Sequence, residues 1–167
     1  MKAYIGIDNG VTGSIAFIGD DSSRMFQTPT HKEQSYTKKK AQITRIDWMS
    51  LEIALANLVD TWGNAKYVRV FIERPFTGKG YKAVVSGMRA LEATLIAVER
   101  YGLSYQYIDS KQWQREMLPK GCKGTAELKA ASKDVGIRLF PQHKEIIVKQ
   151  KDADSLLIAE WARRNDL

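Results

Sequence analysis

The chain is predicted to fold as an α/β protein, with a mixed five-stranded sheet flanked by helices on both faces. Two short apolar runs near the start, Lys2 to Ile7 and Gly13 to Ile18, flank the turn residues Asp8-Asn9-Gly10, as in a hairpin. Two later strand-like runs close at Glu73 and Ile108. Between and after them, apolar residues recur at steps of three and four, the helical spacing. A hairpin feeding strand–helix units gives a sheet of mixed direction with helices over its faces.

The elements follow in order. A third strand is expected near Arg24 to Thr28. Pro29 to Gln42 is polar, holds Lys38-Lys39-Lys40, and is expected to be a loop. A helix is predicted from about Asp47 to Trp62, with Trp48, Leu51, Leu55, Leu58 and Trp62 on one stripe. Asp47 or Thr44 suits its cap. The strand Tyr67 to Ile72 ends at Glu73, where Arg74-Pro75 stops it. A second helix runs from about Lys82 to Arg100, with the stripe Val84, Met88, Leu91, Leu95 and Val98, and Gly102 after it. Ser104 to Ile108 is the fifth strand. Helices are expected around Lys111 to Met117, Thr125 to Val135 with Thr125 as cap, and Asp152 to Arg164. With no repeat, low-complexity tract or linker, residues 1–167 read as one domain.

Composition narrows the function. Hydrophobic residues make up 44% and charged residues 27%, a globular balance. No apolar run approaches the roughly 20 residues of a membrane span, and the N-terminus reads as a strand rather than a signal peptide. A cytoplasmic protein without a membrane partner is expected. The single cysteine, Cys122, permits no internal disulfide, and no Cys/His cluster suits zinc. The net charge of +7 suits a polyanion, since each neutralised phosphate releases a counterion.

Three carboxylates stand where chemistry is plausible. Asp8 follows a buried strand, a place where a lone Asp is ordinarily a turn residue. Glu73 closes another strand, where a surface ion pair is the ordinary reading. Asp154 shares a helix face with Leu157, Ile158 and Trp161, so it is expected to point at the sheet. A carboxylate there needs a cation or hydrogen bonds; helix-end amides are the alternative to a metal. Asp152 is either the N-cap of that helix or a further ligand, and spacing does not separate the two. Two strand ends and a sheet-packed helix start can converge on one point. Carboxylates without Cys or His select hard cations, Mg²⁺ or Mn²⁺. Two such ions about 3.5–4 Å apart can activate water and stabilise the leaving oxygen in phosphodiester cleavage.

Ile5-Gly6-Ile7-Asp8-Asn9-Gly10 with Thr12-Gly13 resembles the opening motif of RuvC-type Holliday junction resolvases, members of the RNase H-like superfamily. Ile72-Glu73-Arg74-Pro75-Phe76 is similar to their second motif, Ser86 to Ala93 to the helix after it, and Tyr107 to Trp113 to the next strand and basic turn. Asp152 to Ala159 resembles the closing motif. These matches span nearly the whole chain in the family's order. The resemblance implies an RNase H-like fold and Asp8, Glu73 and Asp154 as metal ligands and catalytic residues. The family usually carries a fourth acid or His three residues before the closing Asp. Here that position is Lys151, and Asp152 is the nearest acid, taken as the fourth ligand. His143 reads as an ordinary loop histidine.

The resemblance further implies a homodimer making paired nicks in four-way junctions and other branched DNA, leaving 5′-phosphate and 3′-hydroxyl ends. Two Mg²⁺ ions per site are expected, with Mn²⁺ able to substitute. Met88, Leu91 and Leu95 are the expected dimer surface, with core packing as the alternative; the small Gly87, Ala90 and Ala97 would let the other side of the helix sit close to the sheet. Phe76, Lys79, Lys82, Arg89, Lys111 and Arg115 are the expected DNA contacts. Lys120, Lys123, Lys129 and Lys133 extend that phosphate rim. Phe76 either stacks on an unstacked base or tucks under its own loop. Rival readings are an RNA–DNA hybrid ribonuclease or integrase, a non-catalytic branched-DNA-binding module, and a sugar-kinase or actin-type ATPase. The last needs a second domain and phosphate loop, which the sequence does not show.

Overall fold

The computed structural model describes residues 2–35, 38, 40–63, 65–75, 78 and 80–167. Along the chain run β1 (Ala3–Asp8), β2 (Ser14–Ile18), β3 (Ser23–Gln27), β4 (Thr30–Gln34), β5 (Gln42–Ile46), α1 (Trp48–Trp62), β6 (Val68–Glu73), α2 (Tyr81–Arg100), β7 (Ser104–Ile108), α3 (Ser110–Met117), α4 (Gly124–Leu139), α5 (Lys144–Gln150) and α6 (Asp154–Arg164). The main sheet has the order β3-β2-β1-β6-β7. β1 pairs antiparallel with β2 and parallel with β6, and β6 pairs parallel with β7. This is the five-stranded mixed sheet the sequence predicts.

The two-residue period of the strands divides the core between two faces. Ile5, Ile7, Val70 and Ile72 pack with Leu51, Leu55, Ala97 and Val98 of α1 and α2. Tyr4 and Phe71 face the other way, against Leu157, Ile158 and Trp161 of α6. Asp8 and Glu73 belong to this second series, so the α6 face receives both. Gly6 makes the approach of α6 possible. A Cβ there would lie 2.1 Å from the Ser155 carbonyl oxygen and 2.7 Å from the Ala159 amide nitrogen, so a side chain would push the helix off the strand. Ser14 and Ser155, both fully buried, share a 2.7 Å hydroxyl contact beside it.

Several expectations are corrected. Pro29 to Gln42 is not wholly a loop: β4 and β5 form a separate antiparallel sheet. Its polar sequence conceals a ladder closed at the root by Asp47 N–H donating to the Pro29 carbonyl at 2.9 Å. Ile46 anchors it in the core. α5 was not expected; it ends at Lys151, which adopts a left-handed conformation. Asp47 does cap α1, accepting from the Ser50 amide at 3.1 Å, but Trp48 at the first turn is 39% exposed and leaves the apolar stripe. In α2 the side against the sheet is made of Ala90, Thr94, Ala97 and Val98. Met88 is 44% exposed, while Leu91 and Leu95 are partly buried against the α1–α2 core. Small residues let the helix sit close, so the larger ones turn aside. Thr125 does not cap α4. The N-cap is Lys123, whose amide donates to Glu127 at 2.8 Å. Nor is Asp152 an N-cap: α6 starts at Asp154 with Ala153 as its cap. Among the described residues, no helix is long and apolar enough to cross a membrane.

Candidate metal centre

Asp8 ends β1 and Glu73 ends β6. Ile7 stands opposite Ile72 in the parallel pair, so the two acids occupy the next row, side by side at the carboxyl edge of the sheet. α6 begins directly over this edge. Carboxylate oxygens of Asp8, Asp152 and Asp154 lie within 4.8 Å of one another. Glu73 is outside that group of three but close enough for its proton affinity to respond to Asp8 and Asp154.

Helix α4 supplies the support. Lys129, Ser132 and Gly136 recur at steps of three and four, and so share one face. A Cβ on Gly136 would lie 2.1 Å from the Ala153 Cβ, so this face lies directly on the start of α6. Ser132 Oγ donates to Asp154 Oδ1 and accepts from the Ala153 amide at 3.1 Å. Lys129 Nζ donates to Asp152 Oδ2 at 2.5 Å. Asp152 is only 2% exposed, and its other oxygen accepts from the Asp154 amide at 3.4 Å.

The electrostatics follow from crowding acids in a water-poor place. Burial first, then the charges of Asp154 and Asp152, push Asp8 up to about 7. Burial, then Asp8 and Asp154, push Glu73 up to about 8. Burial and Asp152 raise Asp154 to about 6, against the opposing Ser132 hydrogen bond. Partial burial disfavours the Lys129 ammonium, but its bond to Asp152 and the acids around it outweigh that and raise its pKa. The Trp113 indole N–H favours the charged form of Glu73 without completing a full hydrogen bond.

These residues fit a hard divalent cation. Every donor in the group is a carboxylate oxygen, the ligand type such ions prefer. Their mutual repulsion is the kind a cation relieves. Lys129 offsets one charge only, and on Asp152 specifically. Asp8 and Asp154, with Glu73 alongside, are therefore the freest to hold an ion. Asp152 would share itself between an ion and Lys129. His143 is not part of this centre; its Nε2 lies 2.9 Å from Ser23 Oγ, beside β3.

Of the expected DNA contacts, Lys82, Arg89, Lys111 and Arg115 are all exposed. Phe76 and Lys79 lie outside the described residues. Lys129 belongs to the acid cluster rather than to a phosphate rim. Sequence reasoning missed Ser132, Gly136 and Trp113. The signal for the first two was present: a small-residue face on α4, in register with Lys129. Trp113, fully buried, had no sequence signal placing it beside Glu73.

No protein-family model matches the chain, and no curated protein matches its sequence. Solved structures do. The structure of Thermus thermophilus RuvC in complex with Holliday junction substrate is similar at a TM-score of 0.54, with 14% identity over 99% of this chain and 96% of that one. A second structure of Thermus thermophilus RuvC is similar at a TM-score of 0.52, again with 14% identity, over 98% of this chain and 96% of that one. At that identity the likeness speaks for the architecture, which is the RNase H-like fold.

Proposed function

We propose that this chain is a single RNase H-like nuclease domain that cuts branched DNA, four-way junctions above all, with divalent metal. The observation that carries this reading is the meeting of Asp8, Asp152 and Asp154, with Glu73 beside them, at the carboxyl edge of the sheet. The similar RuvC structure that holds a Holliday junction supports the substrate class.

Asp8, Glu73 and Asp154 would hold the metal, with Asp152 as a fourth ligand. Mg²⁺ is the expected ion, two per site, and Mn²⁺ would substitute. When bound, a hard divalent cation supplies Lewis acidity, which favours attack by water near neutral pH and offsets charge on the departing oxygen. Ser132 fixes the Asp154 carboxylate, and Lys129 fixes that of Asp152. Gly6 keeps α6, and so Asp154, against β1. In the metal-free chain, protons remain on part of the Asp8 and Glu73 population near neutral pH. They must leave before these oxygens can act as ligands. Cleavage adds water oxygen to the scissile phosphorus as the bond to the 3′-oxygen breaks. The products are a 5′-phosphate and a 3′-hydroxyl.

A homodimer is part of this reading, since paired nicks need two sites. Met88 and Ile96 on α2, with Met49 and Ile53 on α1, leave apolar surface exposed, and Met88, Leu91 and Leu95 remain the proposed contact.

The test is a substrate panel: four-way junction, fork, duplex and RNA–DNA hybrid, with and without Mg²⁺, beside Asp8→Asn. Paired Mg²⁺-dependent nicks in the junction, lost in the variant, are expected. Cleavage of the hybrid alone would move the chain to the ribonucleases. Tight binding without any cleavage would make it a binding module.

A further inference from the structure

The β4–β5 sheet has no role in the centre just described. Residues 30–46 carry five Lys or Arg against one Glu, a net +4 of the chain's +7. Half of the net charge and more is thus concentrated in about a tenth of the chain. Thr30, Lys32, Gln34, Gln42 and Thr44 share one face of the ladder with Ile46; Ile46 is buried at the root, and the other five are exposed. On the other face Glu33 pairs with Arg45 at 2.9 Å and with His31 at 3.5 Å. Among the described residues, no ion pair engages Lys32, Lys38 or Lys40. Among the described residues of this segment, no large apolar side chain is exposed, so that surface offers little to an apolar protein partner. It offers ammonium, hydroxyl and amide groups, the usual donors to phosphate oxygens.

The arm is also rooted in a telling place. Gln27 at the end of β3 aligns with Ser14, which aligns with Asp8. The arm therefore leaves the sheet at the edge that bears the acids. Its root is braced there: Gln27 Nε2 donates to Gln150 Oε1 at 2.8 Å, and the Thr28 amide donates to the Gly13 carbonyl at 3.1 Å. Two five-residue strands extend about 16 Å at ~3.3 Å per residue. A two-stranded ribbon is of a size that a DNA groove admits.

We propose that the β4–β5 arm grips backbone phosphates of the DNA duplex flanking the cleavage point, through Lys32, Lys38 and Lys40. This rests on the nuclease reading for its choice of partner. It is tested with the whole 167-residue chain carrying Asp8→Asn, alone and with Lys32→Gln, Lys38→Gln and Lys40→Gln together. Binding to a four-way junction and to linear duplex is measured across salt concentration, with folding followed by thermal melting. Each lost phosphate contact lowers the slope of log affinity against log salt by about 0.9. The triple variant should lose a slope of about 2–3, and about tenfold to a hundredfold in affinity near 0.1 M salt, with unchanged melting. The corresponding triple Arg variant should keep both. An unchanged slope and affinity would overturn the proposal. So would loss of binding to phosphatidylserine vesicles with DNA binding intact. If the wild-type chain cuts no DNA yet the Gln substitutions lower DNA affinity, the arm stands and the nuclease reading falls. If junctions are cut and the slope does not move, the reverse holds.

Discussion

The acid cluster and the basic arm leave the same edge of the sheet, yet they are built in opposite ways. The cluster is pinned from three sides, by two neighbouring strand ends, by α6 seated on Gly6, and by the Lys129–Ser132–Gly136 face of α4. The arm is a two-stranded ladder with one face open to water. Chemistry at a phosphate needs oxygens held to within about half an ångström. A grip on a polyanion works through charge and tolerates a solvated surface. The difference implies that substitutions at the cluster alter cleavage and stability, whereas substitutions on the arm alter affinity alone.

The largest expected effect is at Asp8. Asp8→Asn should slow Mg²⁺-dependent junction cleavage at least about a thousandfold, ~4 kcal/mol of barrier, with junction affinity kept, as gel-based cleavage and binding assays would show. Gly6→Ala comes next. Its Cβ would meet the Ser155 carbonyl, so α6 must shift, at a cost of about 2–3 kcal/mol. Denaturant unfolding should show that loss, with cleavage falling alongside. Lys129→Met should be milder. It leaves Asp152 buried without its partner, but Lys129 is itself half exposed and screened, so about 1–2 kcal/mol is expected. Mg²⁺ should restore more stability to this variant than to the wild type, measured as the shift in melting temperature.

The last effect is the pH response of the metal-free chain. Asp8 at about 7, Glu73 at about 8 and Asp154 at about 6 lie above the roughly 4 of unfolded carboxyl groups. Between those values the native chain holds more protons than the unfolded one, so stability falls as pH rises. Melting temperature should fall from pH 5 to pH 8, and Mg²⁺ should raise it more at pH 8 than at pH 5. A flat profile would show that the acids are not coupled as their positions imply.

How legible these regions were in the sequence follows from the same contrast. β1, β2, β6 and α6 carry continuous apolar patterns, so the strands bearing Asp8 and Glu73 and the helix opened by Asp154 could be read directly. The pairing of those acids with α4 could not, because Lys129 and Ser132 are polar residues whose partners lie more than twenty positions away. The arm was hidden for another reason. Its strands bury little beyond Ile46, and a ladder without a core face leaves almost no period in hydrophobicity. In α2 the spacing marked a stripe through Met88 that suited either core or dimer, and the small Ala90 and Ala97, which seat the helix on the sheet, were legible as its close-packing side.

The central claim is that these carboxylates form a hard-cation site, and titration with Mn²⁺ followed by its paramagnetic resonance tests it without any substrate. Wild-type protein should take up Mn²⁺ in competition with Mg²⁺, while Asp8→Asn and Asp154→Asn should each weaken that uptake at least about tenfold. Uptake unchanged in both variants, or none in the wild type, would contradict the account.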